Sequence, residues 1–174
     1  MDFRYGIHTI ELFHRVSKKD FNKVFHSLKS LNSGNFYPDT TYHSDKGMTK
    51  YICTSYCNQG VVLYLYQQVR SKNKTKKNHA PFIHFRLNPH TLLHGEYSPK
   101  KVFQAKEKQL NSLDKGMTKL LHKIDLNCDF EQLTLSRIDC CLDYFPDSQD
   151  WVDEALRVVR RSPYMKKYEL CTFN

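Results

Sequence analysis

No stretch of this 174-residue chain is apolar for long enough to cross a bilayer, which takes about 20 consecutive apolar residues. The opening run MDFRYGIHTIELFHR is charged and broken by His and Glu, so it lacks the apolar centre of a secretory signal. We therefore expect a cytoplasmic protein with no membrane partner. The six cysteines (Cys53, Cys57, Cys128, Cys140, Cys141, Cys171) show no disulfide-framework spacing, and free thiols fit a reducing compartment. Cys53-x3-Cys57 has no second Cys or His pair at finger spacing, which argues against structural zinc. Tryptophan occurs once, against 11 Tyr and 11 Phe. Acidic residues are also short: 18 Asp and Glu face 27 Lys and Arg, a formal charge of +9. That surplus points to an anionic partner, nucleic acid before membrane surface.

What is present centres on residues 133–145, LTLSRIDCCLDYF. At strand period, Ile138, Cys140, Leu142 and Tyr144 share one face, and Arg137, Asp139, Cys141 and Asp143 share the other. An apolar rear face predicts a sheet backed by helices. Two carboxylates and a guanidinium on the other face need water or partners. They are either a solvated open sheet face or the floor of a divalent-metal or nucleic-acid backbone site.

Taken in order, residues 5–15 read as a first strand. Ser17, with Asp20 three residues on, caps a helix carrying Phe21, Val24, Phe25, Leu28 and Leu31 as one stripe. Residues 35–48 carry little structural signal. A hairpin follows, 50–57 and 60–68, turning at Asn58-Gln59-Gly60. Its second arm sets Val62, Tyr64, Tyr66 and Gln68 opposite Val61, Leu63 and Leu65. The run RSKNKTKKNH (70–79) is too polar to be buried, and is either a solvated loop or a phosphate-tracking finger.

Residues 81–88, PFIHFRLN, repeat the two-faced logic: Ile83, Phe85 and Leu87 oppose Phe82, His84 and Arg86. The two strands could share one sheet surface. Ser98-Pro99 predicts a helix start, with an apolar stripe to about residue 125 that Gly116 could divide. A last helix, capped by Asp147 or Ser148, carries Trp151, Val152, Ala155 and Leu156, with Arg157, Arg160 and Arg161 near its end. The order β-α-β-β-β-α-β-α suits one α+β domain over 1–174, with helices on one face of a mainly antiparallel sheet.

SRIDCCLDYF resembles the Arg-Ile-Asp…Asp strand of the replication-initiation-factor family, the rolling-circle replication initiators of plasmids, conjugative elements and filamentous phages. FIHFRLNPHTLL looks like the strand and Asn-Pro turn before the long helix of the phage members, and RYGIHTIEL like their opening strand. The resemblance implies a ferredoxin-like sheet and a metal-dependent nicking and rejoining enzyme. A cation polarises the scissile phosphate while a tyrosine hydroxyl attacks it. By position, Asp139 and Asp143 match the motif's acids and His84 is the candidate imidazole ligand, a set suited to Mg²⁺ or Mn²⁺. The sequence departs from the pattern where Arg86 replaces the second His of a His-hydrophobic-His pair; His90 and His94 fall on the following turn.

Tyr164 and Tyr168 are the candidate nucleophiles. Family members usually run beyond this length, so we expect the N-terminal part of a longer replication protein, or a shortened relative without its nucleophile. Two classes stay open: a DNA nickase acting at a replication origin, and a catalytically silent nucleic-acid-binding domain on the same sheet. The contacts expected for either are Arg70, Lys72, Lys74, Lys76 and Lys77, with Arg86 and Arg137. Tyr64 and Tyr66 would offer stacking surfaces.

Overall fold

Alternation in the first strand decides which side of the sheet becomes the core. β1 (Asp2–Arg15) turns Ile10 and Leu12 inward, where they are buried, while the side chains of Glu11 and Phe13 keep partial access to solvent. The structure is a computed structural model that describes residues 2–31, 36–39, 48–68, 80–97 and 101–145. Ser17 caps α1 (Lys18–Leu31) as the sequence predicts. Asp20 N donates to Ser17 Oγ at 3.1 Å, and the Ser17 hydroxyl donates to Asp20 Oδ2 at 2.6 Å. The stripe Phe21, Val24 and Leu28 is buried, and Phe25 meets Tyr51 edge-on at 4.8 Å.

β2 (Phe36–Asp39) occupies part of the stretch that carried little signal, and it pairs with β3 (Met48–Cys53). A 3₁₀ turn at Cys57–Gln59 leads to β4 (Val61–Gln68), and β5 (Phe82–Leu87) follows. α2 (Pro89–His94), α3 (Glu107–Lys123) and β6 (Thr134–Phe145) complete the described elements. Strand order is β2-β3-β4-β5-β1-β6, and β2–β3, β3–β4, β4–β5 and β5–β1 are all antiparallel. The Ser136 hydroxyl donates to Glu11 O and the Cys141 thiol to Gly6 O, so β6 runs antiparallel to β1 as well. The stretch β4-β5-β1-β6, with α1 and α3 as the crossovers, is a ferredoxin-like arrangement of the α+β class.

Val61, Leu63 and Leu65 of β4 and Ile83, Phe85 and Leu87 of β5 are all but fully buried. They belong to one core with the stripe of α1 and with Leu113, Met117, Leu120 and Leu121 of α3. Burying each such side chain stabilises the fold by about 1.5–3 kcal/mol relative to leaving it in water.

Three expectations are corrected. The helix foreseen from Ser98-Pro99 begins only at Glu107, because Phe103 is used in extended form. Ile7 N donates to Phe103 O at 2.7 Å, Phe103 N returns the bond at 3.3 Å, and the Phe103 ring is 1% exposed. Gly6 permits this approach, since a Cβ there would stand 2.7 Å from Phe103 O. Second, Gly116 does not divide α3, which is continuous through it. Third, the supposed rear face of β6 is not covered: Ile138 is 43% exposed and Cys140 is exposed, because β6 lies at the edge of the sheet. Leu142 and Tyr144 have side chains outside the described part, as does the helix expected after residue 146.

The chain forms two compact units. One is Tyr5–Cys141; the other joins Met1–Arg4 to Leu142–Asn174, of which residues 2–4 and 142–145 are described, as strand. All of the geometry that follows belongs to Tyr5–Cys141.

Candidate functional site

The sheet face away from the core takes every second residue of its strands. β4 offers Val62, Tyr64 and Tyr66; β5 offers Phe82, His84 and Arg86; β1 offers Glu11 and Phe13. Register aligns these into cross-strand rows. Tyr66 sits opposite Phe82, and the two rings stack at 4.3 Å and 10°. Phe13 approaches the same Phe82 edge-on at 6.5 Å. Tyr64 sits opposite His84, with ring centroids 5.5 Å apart, and Lys50 Nζ lies 5.4 Å over the Tyr64 ring. Four aromatic rings and an imidazole thus share one face across three strands. Such cross-strand aromatic pairs add roughly 0.2–1 kcal/mol each to the sheet.

The aromatic patch gives way to charge along β1 and β6. Glu11 is the hub: Oε2 lies 3.4 Å from His84 Nε2, and Oε1 lies 3.9 Å from Arg86 Nε and 3.8 Å from Arg137 Nη1. Arg137 in turn donates through Nε to Asp139 Oδ1 at 2.6 Å. The hydrogen bond from Asp139, aided by its charge and that of Glu11, pushes the Arg137 guanidinium further above its usual range. Burial pulls the His84 imidazole below its usual range. Glu11 opposes this by charge and hydrogen bond, while Arg86 and Lys50 add to the downward push. The net direction is downward, which disfavours the imidazolium form beside Glu11.

Of the expected metal ligands, His84 and Asp139 do share this face, but they do not converge on one point. Arg137 takes Asp139, and His84 turns to Glu11; the Asp143 side chain lies outside the described part. Among the described residues no three His, Cys, Asp or Glu side chains come together as a cation site. A Mg²⁺ or Mn²⁺ ion at Asp139 would have to displace the guanidinium first, so the described donors do not fit a divalent cation as they stand. Arg86 and Arg137 lie on this face, both beside Glu11. Arg70, Lys72, Lys74, Lys76, Lys77, Tyr164 and Tyr168 lie outside the described residues.

Sequence reasoning missed Glu11 as the hub and Lys50 and Phe82 as members. The signal for Glu11 was present, since a carboxylate stands between apolar neighbours in the strand TIELF. Its partners could not be read, because pairing of β1 with β5 joins residues 67 to 77 positions apart.

Where β4 begins and β5 ends, a cleft of about 500 Å³ opens beside Arg86 and Val62. Its floor is fixed by the turn before β4. Gly60 has φ +75°, and a Cβ there would come within 2.8 Å of both Asn88 O and Thr91 Cβ. Asn88 N donates to Gly60 O at 2.7 Å, and Asn88 Oδ1 caps α2 by accepting from Thr91 N at 2.9 Å. His90 of α2 is buried, and its Nε2 has no hydrogen-bond partner among the described residues. Burial, with His94 and Lys101 nearby, lowers the His90 pKa against the opposing pull of Glu96. His94 is its ring neighbour at 4.5 Å.

No protein-family model matches the chain, and no curated protein matches it.

Proposed function

We propose that the open face of the sheet binds single-stranded nucleic acid. The observation that carries this reading is the adjoining of an aromatic patch (Tyr64, Tyr66, Phe82) with Lys50, Arg86 and Arg137 on one sheet face. Bases of any identity stack on aromatic rings, and cations alongside meet the phosphates that link them. The chain's charge of +9 adds long-range attraction for a polyanion. A duplex hides its base faces within its own stack, so a stacking surface selects single strands.

The nicking activity implied by the replication-initiator resemblance asks for more than this surface provides. It needs a nucleophile held about 3–3.5 Å from phosphorus and a cation on the same phosphate. The described donors favour guanidinium contacts over a cation, so binding without cleavage is the reading we adopt. Titration of a fluorescent 12-nucleotide single strand tests it. Tyr64→Ala and Tyr66→Ala should each weaken binding by about 1–3 kcal/mol, the range for one base–aromatic stack. Equal affinity of wild type and the double variant would reject the reading. A covalent protein–DNA adduct formed with Mn²⁺ would restore the nickase.

A further inference from the structure

We propose that the cleft beside Arg86 is a mononucleotide subsite, which takes one nucleotide with its phosphate on Arg86 and its base against the Tyr97 ring. This rests on the reading that the adjoining face binds nucleic acid, and deepens it by giving one nucleotide a separate place. The cleft is continuous with that face, because Arg86 and Val62 belong to both. Its volume of about 500 Å³ lies within the range of small-ligand clefts, roughly 300–1,000 Å³. Among the described residues no Asp or Glu lines it, and Arg86 supplies positive charge. Arg86 meets Glu11 only through Nε at 3.9 Å, beyond hydrogen-bond length, and its terminal N–H groups have no partner among the described residues. Those paired donors suit a phosphate, which a guanidinium binds in a fork.

The rest of the lining suits a base. Tyr97 is 63% exposed at the cleft, and its ring has no stacking partner among the described residues. Asn58 is exposed, also lines the cleft, and carries both a donor and an acceptor. Asn88 spends its carbonyl oxygen on the α2 cap, bonding Thr91 N at 2.9 Å and Thr91 Oγ1 at 3.0 Å, and this leaves its NH₂ to donate. The wall is held rigidly by the bond from Asn88 N to Gly60 O, so the cleft exists before any ligand arrives.

The test is an amide-shift NMR titration of the full chain with thymidine 5′-monophosphate, thymidine and inorganic phosphate, run beside the 12-nucleotide strand. The expected result is that the monophosphate moves the amides of Asn58, Gly60 and Thr91 and binds more tightly than thymidine or phosphate alone. Tyr97→Ala should weaken the monophosphate at least about fivefold, the lower end of one lost stack, while Tyr97→Phe keeps it. Tyr64→Ala should leave the monophosphate unchanged and weaken the strand. Shifts confined to Tyr64, Tyr66 and Phe82, or an unchanged affinity in Tyr97→Ala, overturn the subsite and leave the sheet face standing. Binding of phosphate as tight as the monophosphate overturns it too, reducing the cleft to an anion site. If the strand itself does not bind, the sheet-face reading fails, and the monophosphate shifts alone decide the cleft.

Discussion

His84 and His90 both have their pKa values lowered, chiefly by burial, so the unfolded chain binds protons more readily than the folded one as acid is added. Stability from this source is complete above the unfolded histidine pKa, about 6.5, and is lost as pH falls below it towards the folded values. Urea midpoints measured from pH 7.5 to 5.5 should therefore decline. His84→Gln should flatten that decline in part, and His84→Gln with His90→Gln should flatten it further. A slope unchanged in the double variant would place the proton uptake elsewhere. Cysteine chemistry offers a second check at this scale. Burial, with the charge of Asp129, pushes the Cys128 thiol up to about 11, so it stays protonated at neutral pH. Cys53 is shielded outright, while Cys57 and Cys140 are exposed. Iodoacetamide at pH 8 followed by peptide mass mapping should label Cys57 and Cys140 well before Cys53 and Cys128.

Among the elements, those with a complete periodic signature were legible and those set by distant pairing were not. α1 could be read to its cap because Ser17, Asp20 and the stripe Phe21, Val24 and Leu28 are all local. β4 and β5 were legible because strict alternation sorts Val61, Leu63 and Leu65 from Tyr64 and Tyr66, and Ile83, Phe85 and Leu87 from His84 and Arg86. The start of α3 was misread because Val102 and Phe103 fit a helical stripe equally well. What decides the matter is the bridge from Phe103 to Ile7, which no local pattern reveals. This assigns Phe103 a specific load: it closes the sheet's first strand against the core. Phe103→Ala should cost about 3–5 kcal/mol by removing a fully buried ring, read as a lower urea midpoint at unchanged m-value. The edge position of β6 was equally hidden. Its Ile138 and Cys140 follow an inward pattern, yet the core faces other strands.

For the molecule as a whole, the fold class was legible and the site was legible in halves. The sequence sets His84 and Arg86 on one strand face and Arg137 and Asp139 on another. Chain folding brings the two together across β1, with Glu11 as the hub between them. Their joint presence with stacked Tyr64, Tyr66 and Phe82 is what turns a basic α+β domain into a candidate surface for a polyanion with flat bases. Charge and stacking make separable contributions. Lys50→Ala and Arg137→Ala should each lower the slope of log K against log salt by about 0.7 for a single strand, whereas Tyr64→Ala should lower affinity at unchanged slope. The most direct measurement is photocrosslinking of a bromodeoxyuridine-substituted single strand, followed by mass spectrometry of the adducted peptides. The account predicts adducts on Tyr64, Tyr66 or Phe82, lost when unlabelled strand competes. Adducts that avoid all three of these residues would contradict it.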